Sequence, residues 1–312
     1  MRSRAAGLVL GYLADQAFGD PRRFHPVAGF GRVAGSLERR AHADSRARGA
    51  AYWAVLVGGT TALATVLEHR TRGTPLAHAL VTGAATWTVL GARSLDQEAA
   101  LVDGLLAVDL PAARERLRFL VGRSTQDLDE AEVVRAVVES VAENTSDAVV
   151  SSLVLGAALG VPGLLGHRAV NTLDAMVGHR TARYERFGWA SARLDDVANL
   201  PGSRLTATLA TLLGEDRAGA RAAWRADAAQ HPSPNAGPVE AAFAGALGIT
   251  LGGRNVYDGR VEDRPSMGSG QTPVAADIRR ARRLARRVDL AALAVAVAIA
   301  LRPGGRPPGR CR

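Results

Sequence analysis

Two uncharged stretches, eight residues apart, limit what this chain can fold into more than any other feature. Residues 50–67 (AAYWAVLVGGTTALATVL) and 76–92 (LAHALVTGAATWTVLGA) carry no acid, lysine or arginine. Each approaches the roughly 20 apolar residues that span a bilayer as a helix. Tyr52 and Trp53 stand at one end of the first, where an interfacial aromatic belt sits. The eight residues between them, EHRTRGTP, suit the turn of a helical hairpin. A pair of buried, alanine-rich core helices is the soluble alternative. Shorter apolar candidates lie at 5–18, 148–166, 204–214 and 290–301, and the Gly160-Val161-Pro162-Gly163 sequence breaks the second of these. A hairpin or surface-lying segment at 148–166 keeps the polar segments on either side of it together.

The pattern predicts an all-α, polytopic membrane protein, with one domain over residues 1–301 and a disordered tail over 302–312. Mean hydropathy is +0.01, which suits apolar helices with sizeable polar loops. Segments 19–49 and 93–147 hold seven and six arginines, against two in the 68–75 turn. By the positive-inside rule the first two face the cytoplasm.

The chain has no lysine, so all 39 basic residues are arginine. A P-loop lysine, a Schiff base and a lysine nucleophile are thereby excluded. Phosphate must be held by arginine, backbone N–H groups or a metal. The net charge of +9 is spread over many loops without aromatic interleaving, which argues against nucleic acid as a partner. Cys311 is the single cysteine, so there is neither an internal disulfide nor a CxxC metal site. The arginine-rich segment 254–288 reads as a loop plus a basic helix, with Arg279 to Arg287 meeting lipid headgroups or solvent.

Four stretches concentrate chemistry. GDPRRFHPV (19–27) crowds Asp20, Arg22, Arg23 and His25 beyond an apolar stretch, and a juxtamembrane turn is its ordinary explanation. In 127–150 (DLDEAEVVRAVVESVAENTSDAVV), Asp129 and Glu132 form a capping box, and Glu132, Arg135, Glu139 and Glu143 share one helix face opposite a valine face. Asn144 and Asp147 continue that polar face, and such acid density suits a hard cation. In 168–201, Asn171 and Asp174 share a face, then Arg180, Arg183 and Arg193 lead to the Asp195-Asp196 pair, a set that fits a phosphorylated substrate. In 231–248 (HPSPNAGPVEAAFAGALG), Asn235 is placed to cap a helix that Pro238 begins, Glu240 lies in its first turn, and His231 sits in a rigid polar loop. A solvated stripe, a packing tryptophan and a structural histidine are the bland readings of these stretches.

Together they resemble the CobD/CbiB family, the adenosylcobinamide-phosphate synthases. The resemblance runs from about Gly11 to about residue 290 and is most specific in DLDEAEVVRAVVESVAENTSDAVV, AVNTLDAMVG, RFGWASARLDDVANLP and HPSPNAGPVEAAFAGALG. It departs at His167, at Gly178-His179-Arg180 and at Pro238 directly after Gly237. It implies a multi-pass protein of the cell membrane, with its active face cytoplasmic. It implies an acid–amine ligase of cobalamin biosynthesis, which joins (R)-1-amino-2-propanol or its O-phosphate to adenosylcobyric acid. ATP and Mg2+ are the implied cofactors, and other late corrinoid-pathway enzymes are possible partners. A non-catalytic corrinoid carrier or scaffold in the membrane is the competing reading.

A carboxylate needs activation before an amine attacks it; an acyl phosphate made with ATP supplies this, and needs charge neutralisation and a base. The expected sites follow. Asp174, Asp195, Asp196, Glu143 and His231 are the catalytic candidates. Arg22, Arg135, Asn144, Asn171, Arg183, Arg193 and Asn235 are expected at substrate. Asp127, Asp129 and Asp147 are the expected metal ligands.

Overall fold

The computed structural model describes residues 1–21, 25–179, 181–257 and 260–302. The expected roles of Arg22 and the Cys311 tail lie outside them. Thirteen α-helices are described: α1 (Arg2–Phe18), α2 (Pro26–Ala41), α3 (Arg46–Thr71), α4 (Pro75–Val89), α5 (Ala92–Leu106), α6 (Leu110–Leu117), α7 (Glu130–Asn144), α8 (Ser151–Leu159), α9 (Val161–Val177), α10 (Trp189–Leu213), α11 (Arg217–Asp227), α12 (Ala236–Leu247) and α13 (Ala275–Leu301). A π-helical turn, Thr145–Val150, joins α7 to α8 without a break.

The expectation of an all-helical chain is corrected by an antiparallel hairpin, β1 (Leu251–Tyr257) and β2 (Arg260–Met267). It occupies ground that reads as loop, because Gly252, Gly253 and Pro265 interrupt any alternation of apolar residues. A bulge falls between Leu251 and Gly253. The basic run is a helix, as its reading expects, with several of its arginines held by acids. It forms the first half of α13, where Arg279 pairs with Asp103 at 3.1 Å and Arg280 with Glu215 at 2.6 Å. Arg282 and Arg286 both grip Asp96, at 2.9 and 2.6 Å.

The two apolar stretches become α3 and α4. Among the described residues only α3, with 26 residues, is long and apolar enough to cross a membrane. The 76–92 stretch is cut short: α4 ends at Val89 after 15 residues, about 22 Å of helix against a hydrocarbon core of about 30 Å. Only 22% of the apolar window of α3 is buried, and Val55, Leu63 and Val66 point outward. Leu10 and Leu13 of α1 and Leu76 and Leu80 of α4 are also exposed.

Close backbone approach holds α1 on α4. A Cβ on Gly11 would lie 2.5 Å from the Gly83 carbonyl oxygen, so only glycine fits there. The 148–166 candidate is divided between α8 and α9, which pack on each other. Gly160, at φ +78°, makes the break rather than Pro162, which stands in the first turn of α9 where proline is tolerated. The main core gathers the valine face of α7 with α8, α12 and α13, and a smaller cluster joins α2, α3 and α9 around Phe187.

Candidate active site

The long helix α7 organises the site. Asp129 and Glu132 close a reciprocal capping box at 2.8 and 3.0 Å, which fixes its start. Val133, Val134, Val137, Val138 and Val141 are fully buried, so the opposite stripe of Glu139 and Glu143 is turned toward α12 and the hairpin. In the π-helical turn that follows, Asp147 is turned toward α10 instead.

The first half of the site is a cavity of about 130 Å³ between α7, α12 and the hairpin. Glu139, Glu143, Glu240, Arg123, Arg264 and Asn255 line it. Arg123 donates to Glu139 at 2.8 Å and also to Asn255. The Gly252 N–H donates to the second Glu139 oxygen at 2.9 Å. Glu139 thus ties the hairpin to α7. Glu143 and Glu240 instead share a side-chain hydrogen bond with each other. Burial pushes both carboxyls above the usual range, and for Glu240 the neighbouring charges of Glu143 and Glu139 push in the same direction. His231, buried beside them, has its Nε2 3.6 Å from Glu240 Oε1. Burial, then the Arg264 charge, lowers its pKa to about 4, so the ring is neutral.

The second half is an aspartate cleft between the π-helical turn, α9 and α10. Burial raises Asp147 well above its ordinary value, and Asp195 and Glu143 add to this. Asp195 rises to about 7, first through burial and then through the charge of Asp174, with Asn199 and Asn171 opposing. Asp174 is raised by burial and by Asp196. One carboxylate oxygen of Asp195, Oδ1, is buried with no hydrogen-bond partner among the described residues. Arg168 of α9 senses both Asp147 and Asp20, and its Nε is likewise buried without a hydrogen bond. Asn235 does not cap α12 with its side chain. It bridges α10 instead, accepting from Ser203 at 2.9 Å and donating to the Asp196 carbonyl at 2.8 Å. Ser233 Oγ accepts from the N–H groups of Asn235 and Ala236 in its place.

The structure brings Glu143, Asp147, Asn171, Asp174, Asp195, Asp196, His231 and Asn235 together in two adjoining halves. The expected metal set does not. Asp129 caps the start of α7 and Asp127 is exposed beside it, whereas Asp147 follows the far end of that helix. Eighteen residues at 1.5 Å each place Asp129 and Asp147 roughly 27 Å apart, too far to share an ion. Arg135 donates to the carbonyls of Gly252 and Arg254 and so holds the hairpin. Arg183 pairs with Glu38 at 3.0 Å, on the α2 side. Asn144 donates back to the Ser140 carbonyl of its own helix at 2.9 Å. Arg193 is exposed on α10. The residues missed are Arg123, Glu139, Glu240, Asn255 and Arg264. The polar stripe on α7 pointed to Glu139, but nothing in a glycine-broken hairpin announces that Asn255 and Arg264 reach back to it.

The protein is thus a mostly helical chain with a cluster of acids beside arginines and a neutral imidazole. Residues 8–285 match the family described as CobD/Cbib protein. The cobalamin biosynthesis protein CobD of Mycobacterium tuberculosis is 48% identical over 96% of this chain and 97% of its own length. Those of Chromobacterium violaceum and Rhodobacter capsulatus are 45% and 41% identical, over 94% and 91% of this chain and 96% and 93% of theirs. The chain belongs to the CobD/CbiB family of cobalamin biosynthesis proteins. No solved structure matches it.

Proposed function

We propose that the protein is an acid–amine ligase that joins (R)-1-amino-2-propanol, or its O-phosphate, to a carboxylate of adenosylcobyric acid at the expense of ATP. The observation that carries this reading is the convergence of Asp147, Asp174 and Asp195 with the cavity of Glu143, Glu240, Arg123 and Arg264. In the proposed reaction the terminal phosphoryl group of ATP passes to a corrinoid carboxylate oxygen and ADP leaves. The amine nitrogen then attacks the acyl carbon, orthophosphate departs, and the ammonium proton goes to a carboxylate, for which Asp196 at the edge of the cleft is our choice.

The aspartate cleft is our choice for Mg2+ on its donor chemistry: its donors are oxygens from the π-helical turn, α9 and α10, and Asp195 Oδ1 has no hydrogen bond among the described residues. The ion would draw the three carboxylates together, since they do not already stand at a common ligand spacing. Asp147, Asp174 and Asp195 would hold the ion, which would supply charge neutralisation for the nucleotide phosphates. Arg168 adds a buried cation to the same wall. Asn171 and Asn235 keep the carboxylates and α12 in place. Arg123 and Arg264 offer guanidinium donors to the phosphate end of the amine.

The membrane location and cytoplasmic active face belong to the same proposal. The outward apolar side chains of α1, α3 and α4 support the first, since a core helix of a soluble protein buries such residues, and the arginine-rich segments 19–49 and 93–147 support the second.

The test is direct. Purified protein in detergent is given ATP, adenosylcobyric acid and either aminopropanol or its phosphate, and the corrinoid product is weighed by mass spectrometry. An amide product with ADP release is expected, and is lost in Asp174→Asn and Asp195→Asn. No amide and no nucleotide turnover would overturn the ligase and leave the carrier or scaffold.

A further inference from the structure

We propose that Glu143, His231 and Glu240 form a three-ligand site for a divalent transition-metal ion, distinct from the all-oxygen cleft of Asp147, Asp174 and Asp195. The three side chains come from α7, from the loop before α12 and from the first turns of α12. One donor atom of each lies within 4.8 Å of the other two. His231 Nε2 and Glu240 Oε1 are 3.6 Å apart. Three donors each about 2.1 Å from one ion stand about 3.4 Å apart in a tetrahedral site. The His231–Glu240 pair is thus already close to ligand spacing, and the wider separations, within 4.8 Å, close with side-chain shifts of about 1 Å.

The surroundings favour an ion. His231 is 7% exposed and Glu240 4%. Glu143 is half-buried at the edge of the cavity and shares a hydrogen bond with Glu240, so a proton or a cation stands between two carboxyls that are largely shut off from water. Ser233 offers His231 Nδ1 both its N–H at 3.0 Å and its carbonyl at 3.3 Å, so the ring accommodates either tautomer. Ligation selects the form in which Nδ1–H donates to the Ser233 carbonyl and the Nε2 lone pair is presented to the glutamates. A backbone carbonyl behind a metal-bound imidazole is the usual supporting partner. Arg264 Nη1 lies 2.9 Å from the same Nε2. A cationic side chain of the hairpin therefore rests against the nitrogen an ion would take, and the two compete for it.

The donor set decides the class of ion. One imidazole with two carboxylates suits zinc, manganese or iron, whereas magnesium prefers oxygen and keeps its waters. Three protein ligands leave a coordination position open, as in catalytic rather than structural sites. Glu143 and Glu240 also line the cavity containing Arg123 and Asn255, so an anionic oxygen of a substrate is the ligand class that position would take. Glu143 and Asp147 are one turn apart, which sets this site roughly 6 Å along the helix from the aspartate cleft.

The full-length protein in detergent, stripped with a chelator, is titrated with Co2+ and followed by its visible absorption. With excess Mg2+ present to fill the aspartate cleft, a single equivalent of Co2+ is expected to bind and to be displaced by Zn2+. Glu240→Gln and His231→Asn should each weaken Co2+ binding on the order of 100-fold, since outer-shell changes alone reach that range. His231→Cys should introduce a thiolate-to-cobalt charge-transfer band absent from the parent chain, a positive signal that only a folded site gives. Asp195→Asn should leave Co2+ affinity unchanged. Affinity unchanged in both Glu240→Gln and His231→Asn, or no thiolate band in a His231→Cys chain with parental circular dichroism, would overturn the site. So would loss of Co2+ binding in Asp195→Asn alone, which would move the ion to the aspartates. None of these readouts depends on the ligase activity.

Discussion

The carboxylate of Glu68, at the end of α3, accepts the backbone N–H of Val161 at 2.8 Å and so caps the start of α9. Arg4 and Arg72 donate to its other oxygen at 2.8 and 2.9 Å, and the side chain is 1% exposed. Glu68→Ala leaves a helix N–H without an acceptor and two guanidiniums without counter-charge. A loss of about 3 kcal/mol is expected. Arg72→Ala should cost less than about 1 kcal/mol, because that guanidinium is largely in solvent. Unfolding midpoints of the two variants in the same detergent check the contrast.

A histidine gives the fold an acid-sensitive joint. His167 of α9 meets Ser152 Oγ with Nδ1 at 3.1 Å and Asn199 Oδ1 with Nε2 at 2.9 Å. Burial lowers its pKa from 6.5 to about 4. Below pH 6.5 the unfolded chain takes up the proton first, so stability is full above that pH and declines as pH falls toward 4. The whole effect is about 3 kcal/mol, from 1.36 kcal/mol per pKa unit. The slope of stability against pH over this window should flatten in His167→Asn.

Helices α1 and α4 give a steric test. Gly11→Ala places a Cβ 2.5 Å from the Gly83 oxygen, while Gly83→Ala meets nothing closer than 3.4 Å. The first should lose about 1–3 kcal/mol and the second less than about 1 kcal/mol. Equal midpoints for the two would contradict the packing described.

Arg183 and Asp195 should part company in activity assays. Arg183 is a surface partner of Glu38, so Arg183→Ala should keep parental turnover and an unfolding midpoint close to that of the parent chain. Asp195→Asn should lower amide formation by on the order of 100-fold or more, as for loss of support to a metal site. Corrinoid product formed per minute under saturating substrate distinguishes them.

Local rules made much of this legible. The Asp129–Glu132 box, the valine face of α7 and the helical character of both apolar stretches follow from spacing alone. So does the polar stripe of Glu139 and Glu143 on one face of α7. Long-range choices were not legible. Asp127 and Asp129 look like ligands by density, yet one is exposed and the other is bound to its own helix. Arg135 and Arg183 look like anion binders, yet carbonyls of β1 and Glu38 claim them. Such pairings depend on which elements touch, and no residue spacing encodes that when the partner is 117 or 145 positions away.

The π-helical turn at Thr145–Val150 has a wider consequence. It adds a fraction of a residue to one coil of an otherwise continuous rod, and so rotates everything downstream about its axis. The first segment of that rod then addresses the hairpin, and the next addresses α10. Removing one residue there would restore regular winding and swing α8 by about 100°. The two anionic compartments would lose their shared wall, although every side chain that builds them would still be in the chain.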